Sequence, residues 1–416
     1  MCIVYRVGGI IPIPGINAQA LFAYMSNMNN TLFGMYDMFV GGSFKRMTIF
    51  ALGIMPYISA SIIIQLLGSV VPYFQRLSKE GEEGRKKITQ YTRYGTVILS
   101  AAQSFGIAKW LEALEPIQGV PIVITPGIGF IFLVMVTVVA GTIFLMWLGE
   151  QMTEHGIGNG ISMIIFVGII ARFPFAMRSQ IREMMSGTSN IFTFVISLVL
   201  MVGIIAAVVI MTQGQRRIRV QYPKKVVGRK IYGGQSTYIP LRVNTAGVIP
   251  IIFAQAIMFV PGTLATFIPW EIFKQIQNMF LMTNPVYWLF YSILIIFFTY
   301  FYTAIVFNPV DLADNLKKYG AVIPQKPPGK KTAEHIDKIL TRITLPGSIA
   351  LAIIAIMPYF MMRFGKVNAE FAQFFGGTGL LIVVGVALDT LQQVEAKMVE
   401  RHYEGLLKGT KVKGRR

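Results

Sequence analysis

An all-α protein that crosses the membrane many times is the fold class this sequence predicts, and three observations carry the prediction. Hydrophobic side chains make up 54% of the 416 residues and charged ones only 14%, where a soluble domain is nearer a quarter charged. Nine long apolar runs divide the chain, each bounded by charges or by Pro and Gly. Lys and Arg, 38 against 19 acids, gather in alternate loops between those runs. The mean hydropathy of +0.58 agrees. Together these exclude a water-soluble globule, a disordered chain and a disulfide scaffold. Cys2 is the single cysteine, so no internal disulfide forms.

The elements follow in order. Residues 1–16 are apolar, with Arg6 early, Pro12 and Pro14 late, and no small-residue cleavage site. That is not a cleavable signal peptide. At ~1.5 Å per residue it reaches about half the length of a span, so the first helix reads as truncated. The full runs are 48–72, 94–108, 126–148, 157–171, 191–212, 245–268, 285–307, 343–362 and 371–388. Each is expected to be helical, because backbone polar groups must be satisfied inside lipid. The 94–108 and 157–171 runs fall short of the roughly 20 residues a span needs. They therefore require protein neighbours or flanking polar residues. Ten spans in all can divide into two inverted halves of five, 1–188 and 189–416, with the junction in 172–190.

Loop charge orients the chain. The loops 72–93, 149–156, 213–244 and 308–342, with the tail 389–416, hold 28 Lys and Arg, against 9 in the opposite set. Positive charge stays cytoplasmic, which places the first set and both termini inside. Residues 213–244 carry eight basic residues, Arg216, Arg217, Arg219, Lys224, Lys225, Arg229, Lys230 and Arg242, and no acid. Alternation in RRIRVQY and KIYGGQSTYIPL predicts short strands and a projecting hairpin. Residues 308–342 mix both signs and contain the stiff, turn-rich IPQKPPGKK. Two readings fit these loops: attachment to anionic headgroups at about 1 kcal/mol per basic residue, or a docking surface for a large cytosolic partner.

Much chemistry is missing. None of the nine runs contains Asp, Glu, Lys, Arg or His, whereas ion-coupled pumps keep ionisable groups at membrane depth. A solute permease would need a polar mid-membrane site. An intramembrane hydrolase would need paired catalytic groups, and an insertase a buried charge in a hydrophilic groove. His155, His335 and His402 lie in loops or the tail without metal-ligand spacing. Gly329-Lys330 lacks the upstream glycine of a phosphate loop, and the glycines of EHGIGNG follow a helix rather than a strand. The reading is therefore a passive protein with no catalytic residue, metal or cofactor, whose energy comes from a partner.

Residues 33–69, FGMYDMFVGGSFKRMTIFALGIMPYISASIIIQLLGS, run from a Gly-broken, partly polar segment into a long apolar one. Asp37, Lys45 and Arg46 are expected outside the apolar core. This stretch closely resembles the SecY family of protein-translocation channels. The pattern continues through KEGEEGRKKITQYTRYGT at 79–96, WLGEQMTEHGIGNGIS at 147–162 and QGQRRIRVQYPKK at 213–225. NTAGVIPIIFAQAI at 244–257, FNPVDLADNLKKYGAVIP at 307–324 and FGGTGLLIVVGVALDT at 375–390 complete it. The match covers nearly the whole chain in order.

The resemblance implies a ten-helix channel in two halves around an hourglass pore, with a lateral gate into lipid. By matching position the constriction is expected at Ile54, Ile58, Ile165, Ile252 and Ile382, with Ile62 as a weaker candidate. The plug would be Tyr36 to Met47, including Asp37, Phe39, Gly41, Gly42 and Phe44. A ring of branched apolar side chains offers water and ions no partner and gates by dewetting. Ile54, Ile58 and Ile62 fall on one helical stripe, which without the resemblance reads as core or lipid-facing surface. Ser59, Ser61, Gln65 and Gln255 are the polar groups expected at the lateral gate, where interhelical bonds are worth about 0.6–2 kcal/mol. Ordinary helix packing is the alternative for each. The resemblance also implies SecE-type and SecG-type subunits, the SecA motor, the ribosome and signal-bearing polypeptides as partners, beside anionic lipids. It places the chain in the bacterial inner membrane, with Arg216, Arg217, Lys224, Lys225, Arg229 and Lys230 as docking residues.

The family pattern is broken in three places. The chain opens almost at Arg6, without the cytoplasmic segment and first half-span that family members carry. The family's IPG-x-RPG tip reads Ile323-Pro324-Gln325-Lys326-Pro327-Pro328-Gly329 here, so Pro327 stands at the arginine position. Lys326 can supply the charge as a motor contact, without arginine's planar fork. His155 stands where a basic residue is usual.

Overall fold

The computed structural model describes all residues except 27–31, 115, 117–119, 187–190, 223, 228, 229, 234, 235, 268–283, 366, 368–370, 373, 375–377 and 410–416. The chain forms two compact units: Met1–Arg182 with Ile382–Arg416, and Glu183–Leu381. Six described helical stretches are long and apolar enough to cross a membrane, and a bent helix pair adds a seventh.

The first unit begins with α1 (Cys2–Gly8), α2 (Ala18–Ser26) and α3 (Leu32–Phe39). The chain then turns repeatedly from Val40 to Ile54. Residues 48–54, expected as the start of a helix, are part of this turning segment. The reason is local: Gly53 takes φ +56°, and Pro56 sits in the first turn of α4 (Met55–Val70), where its missing N–H costs nothing. Residues 47–49 lie beside 11–13, with Ile13 N–H donating to Met47 O at 2.9 Å and Ile49 N–H to Ile11 O at 3.0 Å. Helix α4 ends at Val71, held extended by the following Pro72. The chain bends by 98° into the amphipathic α5 (Pro72–Lys79).

Helix α6 (Glu82–Glu112) contains the short 94–108 run. Thr92, Thr96, Ser100 and Ser104 recur every fourth residue and are buried. Their hydroxyls return to the helix's own carbonyls, as in Thr96 Oγ1 to Thr92 O at 2.7 Å. A buried stripe of small residues lets helices approach closely. Gly95 shows it: a Cβ there would sit 3.3 Å from that of Ala60 on α4. So the short run is supported by protein, as its length requires. Helix α7 (Ile128–His155) packs on α6. The two are joined at one end by Arg93, whose Nε and Nη2 meet the Glu150 carboxylate at 3.0 and 2.7 Å. That hydrogen bond raises the pKa of Arg93. Helix α8 (Gly160–Ile170) starts at Asn159, whose side chain accepts from Ile161 N–H and Ser162 N–H. Helix α9 (Phe173–Met185) follows after a break at Ala171–Arg172.

The second unit carries α10 (Ile191–Gln213), α11 (Ile249–Phe267), α12 (Pro285–Val306), α13 (Pro309–Lys318) and α14 (Lys330–Gly365). Helix α15 (Thr378–Gly409) closes the chain. Helix α12 packs on α11 and α14. Tyr287, Tyr291 and Tyr359 are fully or almost fully buried there.

The 213–244 loop forms strands, as its alternation predicts. β1 (Gln215–Gln221) pairs antiparallel with β4 (Ser236–Arg242), and β2 (Lys224–Val227) with β3 (Lys230–Gly233). Ile218 and Val220 point to one face and are buried, while Arg216, Arg217 and Arg219 are exposed. That face packs with Leu241 against Leu316, Ala321, Ile323 and Ile336 from the 308–342 segment. Gln221 and Val322 exchange backbone hydrogen bonds at 2.9 Å each. The two loops are thus one folded lobe rather than two separate projections.

Candidate functional site

Residues 36–47 are held in place by buried apolar side chains together with backbone and buried polar contacts. Tyr36, Phe39 and Phe44 are buried. The Tyr36 ring stands edge-on to Phe44 at 5.1 Å, and its hydroxyl donates to Leu52 O at 2.8 Å. Gly41 and Gly42 take φ of +69° and +91°, conformations that favour glycine. Gly41 also lies backbone to backbone against α8: a Cβ on it would stand 3.0 Å from Gly168 Cα. Helix α1 contributes two donors, Tyr5 Oη to Val40 O at 3.1 Å and Arg6 Nη1 to Gly41 O at 2.9 Å.

The charges of this segment are not outside the core, contrary to the sequence expectation for two of them. Asp37 is fully buried and Lys45 nearly so, while Arg46 is exposed. Asp37 Oδ1 accepts from Lys45 N–H at 2.8 Å. Its Oδ2 lies 3.9 Å from Lys45 Nζ and 2.5 Å from Arg172 Nη1. A carboxylate tolerates burial only when so paired. Sequence reading missed Arg172, Gly168, Tyr5 and Arg6 as parts of this arrangement. Arg172 did leave a trace, a lone cation closing an apolar run directly before the FPF of α9.

The isoleucines occupy both units. Ile54 and Ile58 stand one turn apart at the start of α4, with Ile62 a turn further on. Ile165 lies on α8 and Ile382 on α15. All five are buried. Ile252 lies on α11 in the second unit and is half-buried. Of the residues expected at the lateral gate, Ser59, Ser61 and Gln65 are half-buried on α4. Gln65 Nε2 donates to Ser61 Oγ at 3.2 Å, within its own helix. Gln255 on α11 is buried, and neither its Nε2 nor its Oε1 has a hydrogen-bond partner among the described residues.

On the lobe, Arg216 and Arg217 are exposed on β1, and Lys326 is exposed in the turn before α14. Gln325 adopts φ +64° there, and Thr332 Oγ1 donates to Pro327 O at 2.8 Å. Lys224 and Lys225 lie in β2 and Lys230 in β3. Arg229 lies outside the described residues. Among the described residues no group of His, Cys, Asp and Glu is placed to hold a metal ion.

Comparison with known proteins gives a consistent result. The family model described as SecY matches residues 48–391. The protein translocase subunit SecY of Escherichia coli strain K12 is 48% identical over 416 residues, covering 99% of this chain and 93% of its own. One similar solved structure concerns the plug domain of the SecY protein, which stabilises the closed state of the translocation channel and maintains a membrane seal. It superposes with a TM-score of 0.62 at 16% identity, covering 96% of this chain and 90% of that one. Another is Sec61 in the canine ribosome-channel complex from the endoplasmic reticulum, with a TM-score of 0.60 at 17% identity and coverage of 96% and 90%. At these identities the structural likeness is one of fold.

Proposed function

The chain belongs to the SecY family of protein translocase channel subunits, and on that premise we propose how its residues divide the work. It is a multi-pass membrane channel subunit through which polypeptide crosses. Ile54, Ile58, Ile165, Ile252 and Ile382 form the constriction, and Tyr36 to Met47 is the plug that closes it. Ser59, Ser61, Gln65 and Gln255 line the lateral gate. The two inverted halves are 1–188 and 189–416. The chain lies in the bacterial inner membrane with both termini cytoplasmic.

The observation that carries this reading is the segment at 36–47. It has a short helix, left-handed glycines and a buried charge, yet it lies next in the chain to the Ile54 stripe. Irregular backbone at membrane depth is tolerated only where protein or a water-filled cavity surrounds it. A removable stopper beside an apolar collar meets that condition. The collar gives a passing chain no fixed hydrogen bond, so any sequence can slide, while ions meet no ligand. A signal segment entering the gate would replace seam contacts with its own, at ~0.8 kcal/mol per buried CH₂. Gln255, whose amide has no partner among the described residues, is the seam group best placed to gain from a new contact.

Docking of SecA and the ribosome falls to the lobe, through Arg216, Arg217, Lys224, Lys225, Arg229, Lys230 and Lys326. Its acid-free basic strands suit ribosomal RNA or an acidic protein face. SecE-type and SecG-type subunits complete the assembly, and anionic lipids support its basic surface. Disulfide capture tests the pore. With Cys2→Ser as background, a cysteine at Ile252 should trap the middle of an arrested secretory chain. Failure of capture at Ile252, Ile58 and Ile382 alike, with substrate demonstrably engaged, rejects the reading.

A further inference from the structure

We infer that Arg172 is the latch of the plug: its ion pair with Asp37 holds the plug seated, and that pair must break for the channel to open. The inference rests on reading residues 36–47 as the plug. Its basis is a difference between the two cations that share Asp37. Lys45 lies eight residues along the same segment, and its backbone N–H as well as its ammonium serves the carboxylate. Lys45 therefore travels with Asp37 when the segment moves. Arg172 does not. It stands 135 residues away at the end of α8, on the same run of chain as Ile165.

Three features fit a latch better than a permanent structural pair. The carboxylate is fully buried while the arginine side chain is 19% exposed, so the pair is open on the arginine side only. The contact is charge-assisted, roughly twice as strong as a neutral hydrogen bond. Tyr5 and Arg6 of α1 bind the carbonyls of Val40 and Gly41, and the Ile13 N–H that of Met47, all groups that any backbone presents. Asp37 recognises its seat by charge instead, through Arg172. Once the segment leaves, Asp37 keeps Lys45 and gains water, so the open state is not penalised by a stranded bare carboxylate. One pair thus biases the plug strongly without locking it.

The test is conductance of the resting channel in a planar bilayer, together with export of a precursor carrying a weakened signal sequence. Arg172→Gln should raise the unseated fraction about ten- to hundredfold, with more leak and better export of the weakened precursor. Asp37→Asn should do at least as much, because it leaves Lys45 and Arg172 without their shared carboxylate. The double variant should leak far less than the product of the two single effects, since both remove one interaction. Arg172→Lys keeps the charge and should hold conductance near the unaltered level. It also serves as the measurable variant if the Gln form does not accumulate. Deleting Tyr36 to Met47 separates the two ideas. If the deletion leaks but neither Arg172→Gln nor Asp37→Asn does, the latch is wrong and the plug stands. If the deletion does not leak, the plug reading fails and the latch with it. Equal leak from Arg172→Lys and Arg172→Gln overturns the assignment to charge.

Discussion

Gly41→Ala should unseat the proposed plug more severely than any other single methyl added to it, and the structure sets the size. Gly41 has φ +69°, and a side chain in that left-handed region costs about 1–2 kcal/mol. The new Cβ would lie 3.0 Å from Gly168 Cα and 3.2 Å from Gly168 O. Those are backbone atoms of a packed helix, which cannot swing aside, and such overpacking costs about 1–3 kcal/mol. The sum is about 2–5 kcal/mol, or roughly thirty- to several thousand-fold in the ratio of seated to unseated plug. Gly168→Ala approaches the same contact from the other side. Its Cβ would meet Tyr5 Oη at 2.9 Å and Phe39 O at 3.2 Å, but its own backbone is helical. Only the packing cost applies, about 1–3 kcal/mol, or roughly five- to 150-fold. Bilayer conductance should therefore rank Gly41→Ala above Gly168→Ala above the unaltered channel. Thermal unfolding of the purified protein should confirm that each variant folds. If Gly41→Ala leaks no more than Gly168→Ala, the claim that backbone conformation holds this seat is refuted.

Two further outcomes follow from packing elsewhere. Leu241→Ala in the lobe should cost about 2–5 kcal/mol, because Leu241 lies in the core shared by both loops. Limited proteolysis should then cut 213–244 and 308–342 together, and faster cleavage of only one loop would contradict a common core. Gly141→Val on α7 should prevent stable assembly, since its Cβ would overlap the backbone oxygen of Ile49, whereas a Cβ at Gly203 on α10 meets nothing within 4 Å. Membrane accumulation and melting temperature should fall sharply for the first and barely change for Gly203→Ala. Comparable losses from both would place the cost outside the contact.

The apolar runs were legible because lipid demands long uncharged helices, and a run of that kind has few other uses. The ends were less so. The run at 48–72 begins with turns because Gly53 and Pro56 override its apolar composition. Helix α6 extends well beyond 94–108, since charged residues propagate a helix as readily as apolar ones. The strands of 213–244 could be read from alternation, but their partner could not. Ile218 and Val220 announce a buried face without saying that Leu316 and Ile336 cover it. The largest misreading concerned Asp37 and Lys45. Charges beside an apolar run read as peripheral, and the pairing that permits burial joins positions 135 apart. No local pattern encodes such a partner. The candidate constriction came from resemblance alone, because an isoleucine stripe has the same appearance on any buried helix.

The shared core of the lobe has a mechanical consequence. Strand β1 follows directly on α10, β4 leads towards α11, and the 308–342 segment runs from the end of α12 to the start of α14. Four helices are therefore gripped by one handle. A load placed on either loop is shared by all four helices through the common core instead of falling on one of them.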